Sequence, residues 1–464
     1  MQHITSLSIM DELINAGLGD QRLTKRLCQL AAAFAEQPDV SIPKATGSWG
    51  QTFAAYRFFD NDAVQFADIL APHYARTRQR AAAEPVVLAV NDSTSLNYDQ
   101  RPATRGLGPI RTRADKTFGL WLHSLMGFTP EGIPLGLLQA ECWARDPAQF
   151  GSRHQRHQKS TEQKESGKWL HSFAALQQAA VQTPNTRWVF VADREADLYD
   201  LFVLASSCPG PALLIRARHD RRLPRTEKSL FAHLAKAPRA GEVQVQVPRR
   251  LQQQARTATL TVRFTEVELG APEPKGSRPS LRLWAVEARE LHPPKAIAPI
   301  HWRLLTSLPV RQLAEAVEKL QWYCRRWGIE VFHKVMKSGC AVEAVQLQTA
   351  ARLQRYLAIE LVVAWRVLAL TQLGRERPQT PLSELLEEAE WRVLQAVGER
   401  GVKDRGRRGV PTVGDGVRWL GRLGGHLGRR GDGAPGPLCL ARGLERLHDI
   451  TIGWKMAQRT GKCV

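Results

Sequence analysis

The chain is poor in the residues that staple or anchor a protein. Its 464 residues include only seven cysteines, at Cys28, Cys142, Cys208, Cys324, Cys340, Cys439 and Cys463. Their number is odd, their spacing irregular, and no CxxC pair occurs. That excludes a disulfide framework and a Cys/His zinc site, and it fits a reducing compartment. His154 and His157 have HxxH spacing, but in so polar and basic a stretch they read as solvated side chains rather than metal ligands. No run approaches the ~18 apolar residues of a membrane span. The most apolar stretch, Leu357 to Leu370, is broken by Glu360 and Arg366 and is expected to be a buried helix. No basic-then-apolar leader opens the chain, so the expected location is the cytoplasm. Acidic residues are also scarce, with 45 Asp+Glu against 65 Lys+Arg and a formal net charge of +20. Such an excess calls for a polyanionic partner, nucleic acid ahead of a membrane surface.

Hydrophobic periodicity changes along the chain. Residues 1 to about 80 show helical spacing over Arg22–Phe34 and Phe53–Leu70, with a break at Ser41-Ile42-Pro43. Arg22, Lys25 and Arg26 put cations on the first helix, either to enter a DNA groove or simply as a solvated face. From Val86 to Val90 a continuous apolar run marks a strand buried on both faces, ending at Asn91-Asp92-Ser93-Thr94. Strands are expected over Phe118–Phe128 and Pro134–Trp143, joined by a turn at Thr129-Pro130-Glu131-Gly132. A helix reaching about Val181, a strand at Trp188–Ala192, a helix at Ala196–Ala205 and a strand at Ala212–Arg216 follow. This order predicts an α/β fold with a ribonuclease-H-like core. Residues 220–310 read as an antiparallel β insertion with Gly/Pro linkers such as Gly270–Gly276. Helical pattern returns at Leu313 and includes a long helix from about Val342 to Leu373. The Gly/Arg-rich segment 400–436 is expected to be a strand-free crossing. An amphipathic helix over Leu440–Gln458 would either pack on its own domain or pair with a second copy.

Three carboxylates stand out. Asp92 and Asp193 follow buried strands, where α/β sheets place ligand chemistry, although a strand-ending aspartate is often only a turn or cap residue. Glu195 and Asp197 are expected at a helix start. Glu330 lies in the stretch Tyr323–Lys337. If that stretch is one helix, Tyr323, Arg326, Glu330 and Lys337 fall within an arc of roughly 60°. Such a face is either a solvated charged surface or a phosphate grip beside a metal ion. Asp92, Asp193 and Glu330 supply the hard oxygen ligands that two divalent cations need for phosphodiester chemistry.

The strings NDSTS, VADREAD and YCRRWGIEVFHKVMKSG, in this order, resemble DDE-type cut-and-paste transposases. More narrowly they resemble the bacterial insertion-sequence group with a Tyr-(2)-Arg-(3)-Glu-(6)-Lys motif, which Tyr323, Arg326, Glu330 and Lys337 match. The β insertion, Gly17-Leu18-Gly19-Asp20, Tyr56-Arg57-Phe58-Phe59 and Gly428–Pro437 extend the likeness over essentially the whole chain. The resemblance implies that Asp92, Asp193 and Glu330 bind two Mg2+ ions, with Mn2+ able to substitute, and catalyse strand transfer. It assigns Tyr323, Arg326 and Lys337 to phosphate binding at the transposon end, Trp302 to stacking on a flipped base, and Arg216 and Arg218 to DNA contact. Without it, Trp302 reads more readily as a core aromatic. The resemblance also implies DNA-end binding by residues 1–80, catalysis by 81–375 and dimerisation by 376–464, with double-stranded DNA and a second copy as partners. A ribonuclease-H-like nuclease or resolvase without joining activity, or an inactive DNA-binding regulator, would share most of these features.

Overall fold

The computed structural model describes residues 7–111, 117–148, 164–207, 210–224, 228–247, 255–271, 279–295, 297–399, 409–429 and 431–460. His154, His157, residues 272–276 of the expected linker, residues 400–408 and Arg430 lie outside these. In chain order the elements begin with helices α1 (Ile9–Leu13), α2 (Gln21–Glu36), α3 (Ile42–Thr46), α4 (Trp49–Asp60) and α5 (Phe66–Ala82). Strands β1 (Val86–Asn97), β2 (Gly108–Pro109), β3 (Phe118–Phe128) and β4 (Pro134–Trp143) follow. Then come α6 (Gly167–Gln182), β5 (Arg187–Ala192), α7 (Tyr199–Ser207), β6 (Ala212–Arg216) and α8 (Leu230–Lys236). The next strands are β7 (Arg239–Val247), β8 (Arg256–Leu269), β9 (Leu281–Glu290) and β10 (His301–Thr306). The chain ends in α9 (Leu313–Arg325), α10 (Trp327–Lys334), α11 (Ala350–Glu376), α12 (Glu388–Gly398), α13 (Val413–Leu423) and α14 (Pro437–Thr460).

These elements form two compact units. The first holds Met1–Ala83, Ser93–Ser152 and Gly328–Val464, and the second Glu84–Asp92 and Arg153–Trp327. In the second unit the strand order is β1-β5-β6-β10-β9-β8-β7. β1, β5 and β6 run parallel, and β10 turns antiparallel against β6. Val87–Val90 and Trp188–Ala192 are buried, as continuous apolar runs in parallel strands require. Helix α6 covers β5 with Trp169, Phe173 and Leu176, and Phe173 meets Phe190 edge-on at 5.5 Å. The expected β insertion is present as β7 to β10, and it extends the same sheet rather than forming one of its own.

The first unit is largely helical. Its strands run in the order β2-β3-β1, with β4 on β3, and β3 and β4 meet at the turn expected at Thr129–Gly132. Helix α11 is long and apolar enough to cross a membrane, but most of it is buried inside the protein. The buried Glu360 at its centre has its carboxyl pushed up to about 8 by that burial, against hydrogen bonds with Tyr356 and Cys340. It is therefore neutral at pH 7, which is how a core helix tolerates it. The whole is a ribonuclease-H-like α/β core flanked by helices, as expected.

Several expectations change. The strand carrying Asp92 does not end there but continues to Asn97. Phe53–Leu70 is two helices, because Asn61 accepts the Ala63 N–H and turns the chain. The long helix starts at Ala350 instead of Val342. Ala341 has a left-handed backbone (φ 46°), and Thr349 caps α11 by accepting from Arg352 N–H. Within 400–436, α13 forms behind a reciprocal cap between Thr412 and Asp415. Its glycines mark close packing: a Cβ on Gly424 would lie 1.8 Å from the Cys439 carbonyl oxygen, and one on Gly416 2.6 Å from Leu382.

Candidate metal and nucleic-acid site

The two aspartates occupy equivalent places on neighbouring strands of the second unit. β1 and β5 pair up to Val90↔Val191, so Asp92 and Asp193 each stand two residues past the last pair. Asp193 caps a short 3-10 turn, Arg194–Ala196, by accepting from the Glu195 N–H at 2.9 Å. Asp92 accepts from Arg326 Nη1 at 2.9 Å, the two side chains being 20 % and 16 % exposed.

The stretch 323–337 is not one helix. Helix α9 ends at Arg325, Arg326 forms a turn with its N–H bonded to Tyr323 O, and α10 begins at Trp327. Val335–Gly339 is then a π-helical turn containing Lys337, closed by Cys340 N–H donating to Val335 O at 2.9 Å. The four motif residues are nonetheless not a solvated face. Tyr323 is 5 % exposed, while Arg326, Glu330 and Lys337 are half-buried beside the exposed Cys324, Arg325 and Lys334. Gly328, in the first turn of α10, has a packing reason. A Cβ there would come 2.8 Å from the Phe128 ring.

Around Tyr323 the second unit gathers an aromatic and basic set. Trp302 on β10 meets Tyr323 edge-on at 5.8 Å, and it is half-buried rather than a closed core residue. Arg216 donates to His301 O at 3.1 Å, one residue from Trp302. Burial pushes the Tyr323 phenol up, opposed by Arg326 and Arg216, so it stays a neutral hydrogen-bonding group. Arg218 is exposed just past β6.

Asp197 stands just ahead of α7, as expected, but its carboxylate reaches elsewhere. Its carboxylate is buried and accepts from the N–H groups of Arg218 (2.6 Å) and His219 (2.9 Å) and from Arg221 Nη1 (2.5 Å). It thereby fixes the loop that presents Arg218. Nothing local in the sequence signals this, because the partners lie more than twenty residues away.

In the first unit, Glu330 lies in the first turn of α10. Lys337 has its ammonium pushed down by burial, opposed by Glu343. One turn before it the buried His333 is held at about 3 by burial and by Lys337, so it is neutral. On α2, Arg22 is paired with Asp20, the residue that caps the helix, Lys25 is exposed, and Arg26 donates to Gln51. The exposed end of α14 carries Ile450, Ile452 and Met456, while Leu440, Leu444 and Leu447 are buried.

The donor chemistry of Asp92 and Asp193, carboxylate oxygens only, suits a hard divalent cation. Among the described residues no three His, Cys, Asp or Glu side chains are gathered as a metal shell. The side chain already neutralising Asp92 is Arg326.

Comparison with known families gives three matches. The Transposase DNA-binding family matches residues 8–64, the Transposase DDE domain residues 148–365, and the Transposase Tn5 dimerisation domain residues 362–462.

Proposed function

Because the chain belongs to the DDE-type insertion-sequence transposases, enzymes that bind DNA and act as homodimers, we propose that it excises its element through hairpin ends and joins the 3′ ends to target DNA. The placement of Asp92 and Asp193 at matching positions of adjacent parallel strands carries this reading. With Glu330 these residues would hold two Mg2+ ions, or Mn2+ in their place. The cations, when bound, supply charge stabilisation to the attacking and leaving oxygens of an in-line displacement.

The chain's own residues position the DNA. Arg326, Lys337 and Tyr323 grip the backbone phosphates beside the cut. Trp302 takes the place of a stacking partner for a base turned out of the end, an exchange of about 1–3 kcal/mol. Water opens one strand, and the freed 3′-OH attacks the opposite strand, forming one P–O bond as another breaks and leaving a hairpin. A second water opens the hairpin, and the same 3′-OH attacks the target. Arg216 and Arg218 steady the flank, and Arg22, Lys25 and Arg26 bind the end more distantly. Residues 1–80 serve end binding, 81–375 catalysis, and 376–464 pairing, the exposed end of α14 being the surface for the second copy.

The test incubates the protein with Mg2+, a target plasmid and DNA carrying the inverted repeats that flank the coding sequence. Hairpin ends and joined product are expected. Cleavage without joining would replace this reading with that of a nuclease. Glu330→Ala is expected to abolish cutting while end binding persists, and cutting that survives Asp193→Ala would refute the metal assignment.

A further inference from the structure

The ion pair between Arg326 and Asp92 places a cation where the proposed chemistry needs another. An arginine cannot shed its charge, so in a mostly buried pair it leaves the carboxylate most readily when a different anion takes it. The planar guanidinium fits a phosphate as well as it fits a carboxylate. Arg326 also sits at the break between α9 and α10. A divalent cation and the guanidinium compete for Asp92 and repel one another. Backbone phosphate from a bound DNA end would relieve that conflict.

We propose that Arg326 is an internal stand-in cation: it holds Asp92 at 2.9 Å in the DNA-free protein and releases it when end-DNA phosphate arrives. Divalent cation binding is thereby made conditional on DNA, which guards against cutting before an end is seated. This rests on the proposed role of Asp92 as a metal ligand.

The experiment measures Mn2+ binding to the full chain by electron paramagnetic resonance, with and without a duplex carrying the element's end. Native protein is expected to bind Mn2+ about tenfold more tightly with DNA, or ~1.4 kcal/mol. Arg326→Gln is expected to show the tighter binding without DNA and little further gain with it. Arg326→Lys, which keeps the charge but loses the planar fork, falls between. Arg216→Gln removes an equal charge nearby that is not on Asp92 and should leave the DNA-free affinity within about twofold, a small shift on the same scale. The proposal is overturned if Arg326→Gln binds Mn2+ no better than native protein, if Arg216→Gln gains as much, or if no protein binds Mn2+ in either state. Asp92→Asn separates the two readings. If it leaves Mn2+ affinity unchanged, the metal assignment itself fails; if it abolishes binding while Arg326→Gln gains nothing, only the stand-in role fails. Melting curves of each variant confirm a folded protein.

Discussion

Glu12 and Asp92 are both carboxylates held by arginine, one in each unit, and their surroundings differ in kind. Glu12 is wholly buried and takes His73 Nδ1 at 2.5 Å, Arg80 Nη1 at 2.6 Å and Arg76 Nε at 3.1 Å. His73 and Arg80 are each tied down again. His73 Nε2 accepts from Leu137 N–H, which leaves the proton on Nδ1 and the ring neutral, as burial also favours. Arg80 lies over the Trp365 ring at 4.5 Å, and Trp365 Nε1 donates to Pro134 O. Asp92 has Arg326 at the joint of two helices, and both side chains reach solvent. The first cluster is a closed network that locks a helical unit together. The second reaches solvent, as the proposed exchange of Arg326 on Asp92 requires. Burial, not the presence of arginine, separates the two carboxylates.

The contrast is broken most directly by removing each acid. Glu12→Ala strands two arginines and should cost about 3–5 kcal/mol. Asp92→Ala should cost under about 1 kcal/mol yet abolish strand cleavage. Urea midpoints and a cleavage assay on both variants decide the matter, and equal losses of stability would end the distinction. Acid sharpens it. Burial raises the Glu12 pKa, but His73 and Arg80 outweigh this and hold it at about 2, below the ordinary 4.5. Its stabilisation is therefore present above about 4.5 and is lost as pH falls toward 2. Glu12→Gln should flatten that part of the stability curve.

Glu360 supplies the third case, a buried carboxylate with no cation beside it among the described residues. Its native pKa of about 8 means the folded protein keeps a proton that the unfolded chain releases near 4.5. Stability should fall as pH rises between those values, and Glu360→Gln should remove the slope, a difference of about 4 kcal/mol at pH 8. Thermal melts at pH 5, 6, 7 and 8 test it; parallel native and variant curves would count against the assignment. Gly328→Ala comes next. Contact with Phe128 should cost about 1–3 kcal/mol, offset by about 1 kcal/mol of helix propensity. A more stable Ala variant would mean that Phe128 yields freely. The smallest effect belongs to Arg22→Ala. It should leave melting unchanged and reduce the salt slope of DNA-end binding by about 1; an unaltered slope removes Arg22 from the interface.

Much of the core was legible because long apolar runs have one reading. Val86–Val90 and Trp188–Ala192 are central parallel strands, and they placed Asp92 and Asp193 side by side. What escaped the sequence depended on distant partners. The tail of β1, Ser93-Thr94-Ser95, is a strand through its neighbours, not its own propensity. The glycines of α13 resembled a loop because composition cannot tell freedom from tight packing, whereas Gly424 and Gly443 let α13 and α14 touch backbone to backbone. At the site, residue types and spacing offered the three acids as candidates, and the resemblance added the basic clamp as an expectation. They did not reveal that Arg326 rests on Asp92, or that Asp197 anchors the Arg218 loop, since each pairing joins segments remote in the chain.

The π turn at Val335–Gly339 has a consequence for insertions and deletions. A π turn is an α-turn carrying one surplus residue. Deleting Ser338 would let the backbone relax into an ordinary helix, at little cost in hydrogen bonds, while shifting the angular phase of everything beyond it by about 100°. The same deletion inside α11 would swing a buried face into solvent. Length variation at this turn thus re-phases the residues that follow Lys337 and leaves Lys337 itself on its helix, and α11 offers no such tolerance.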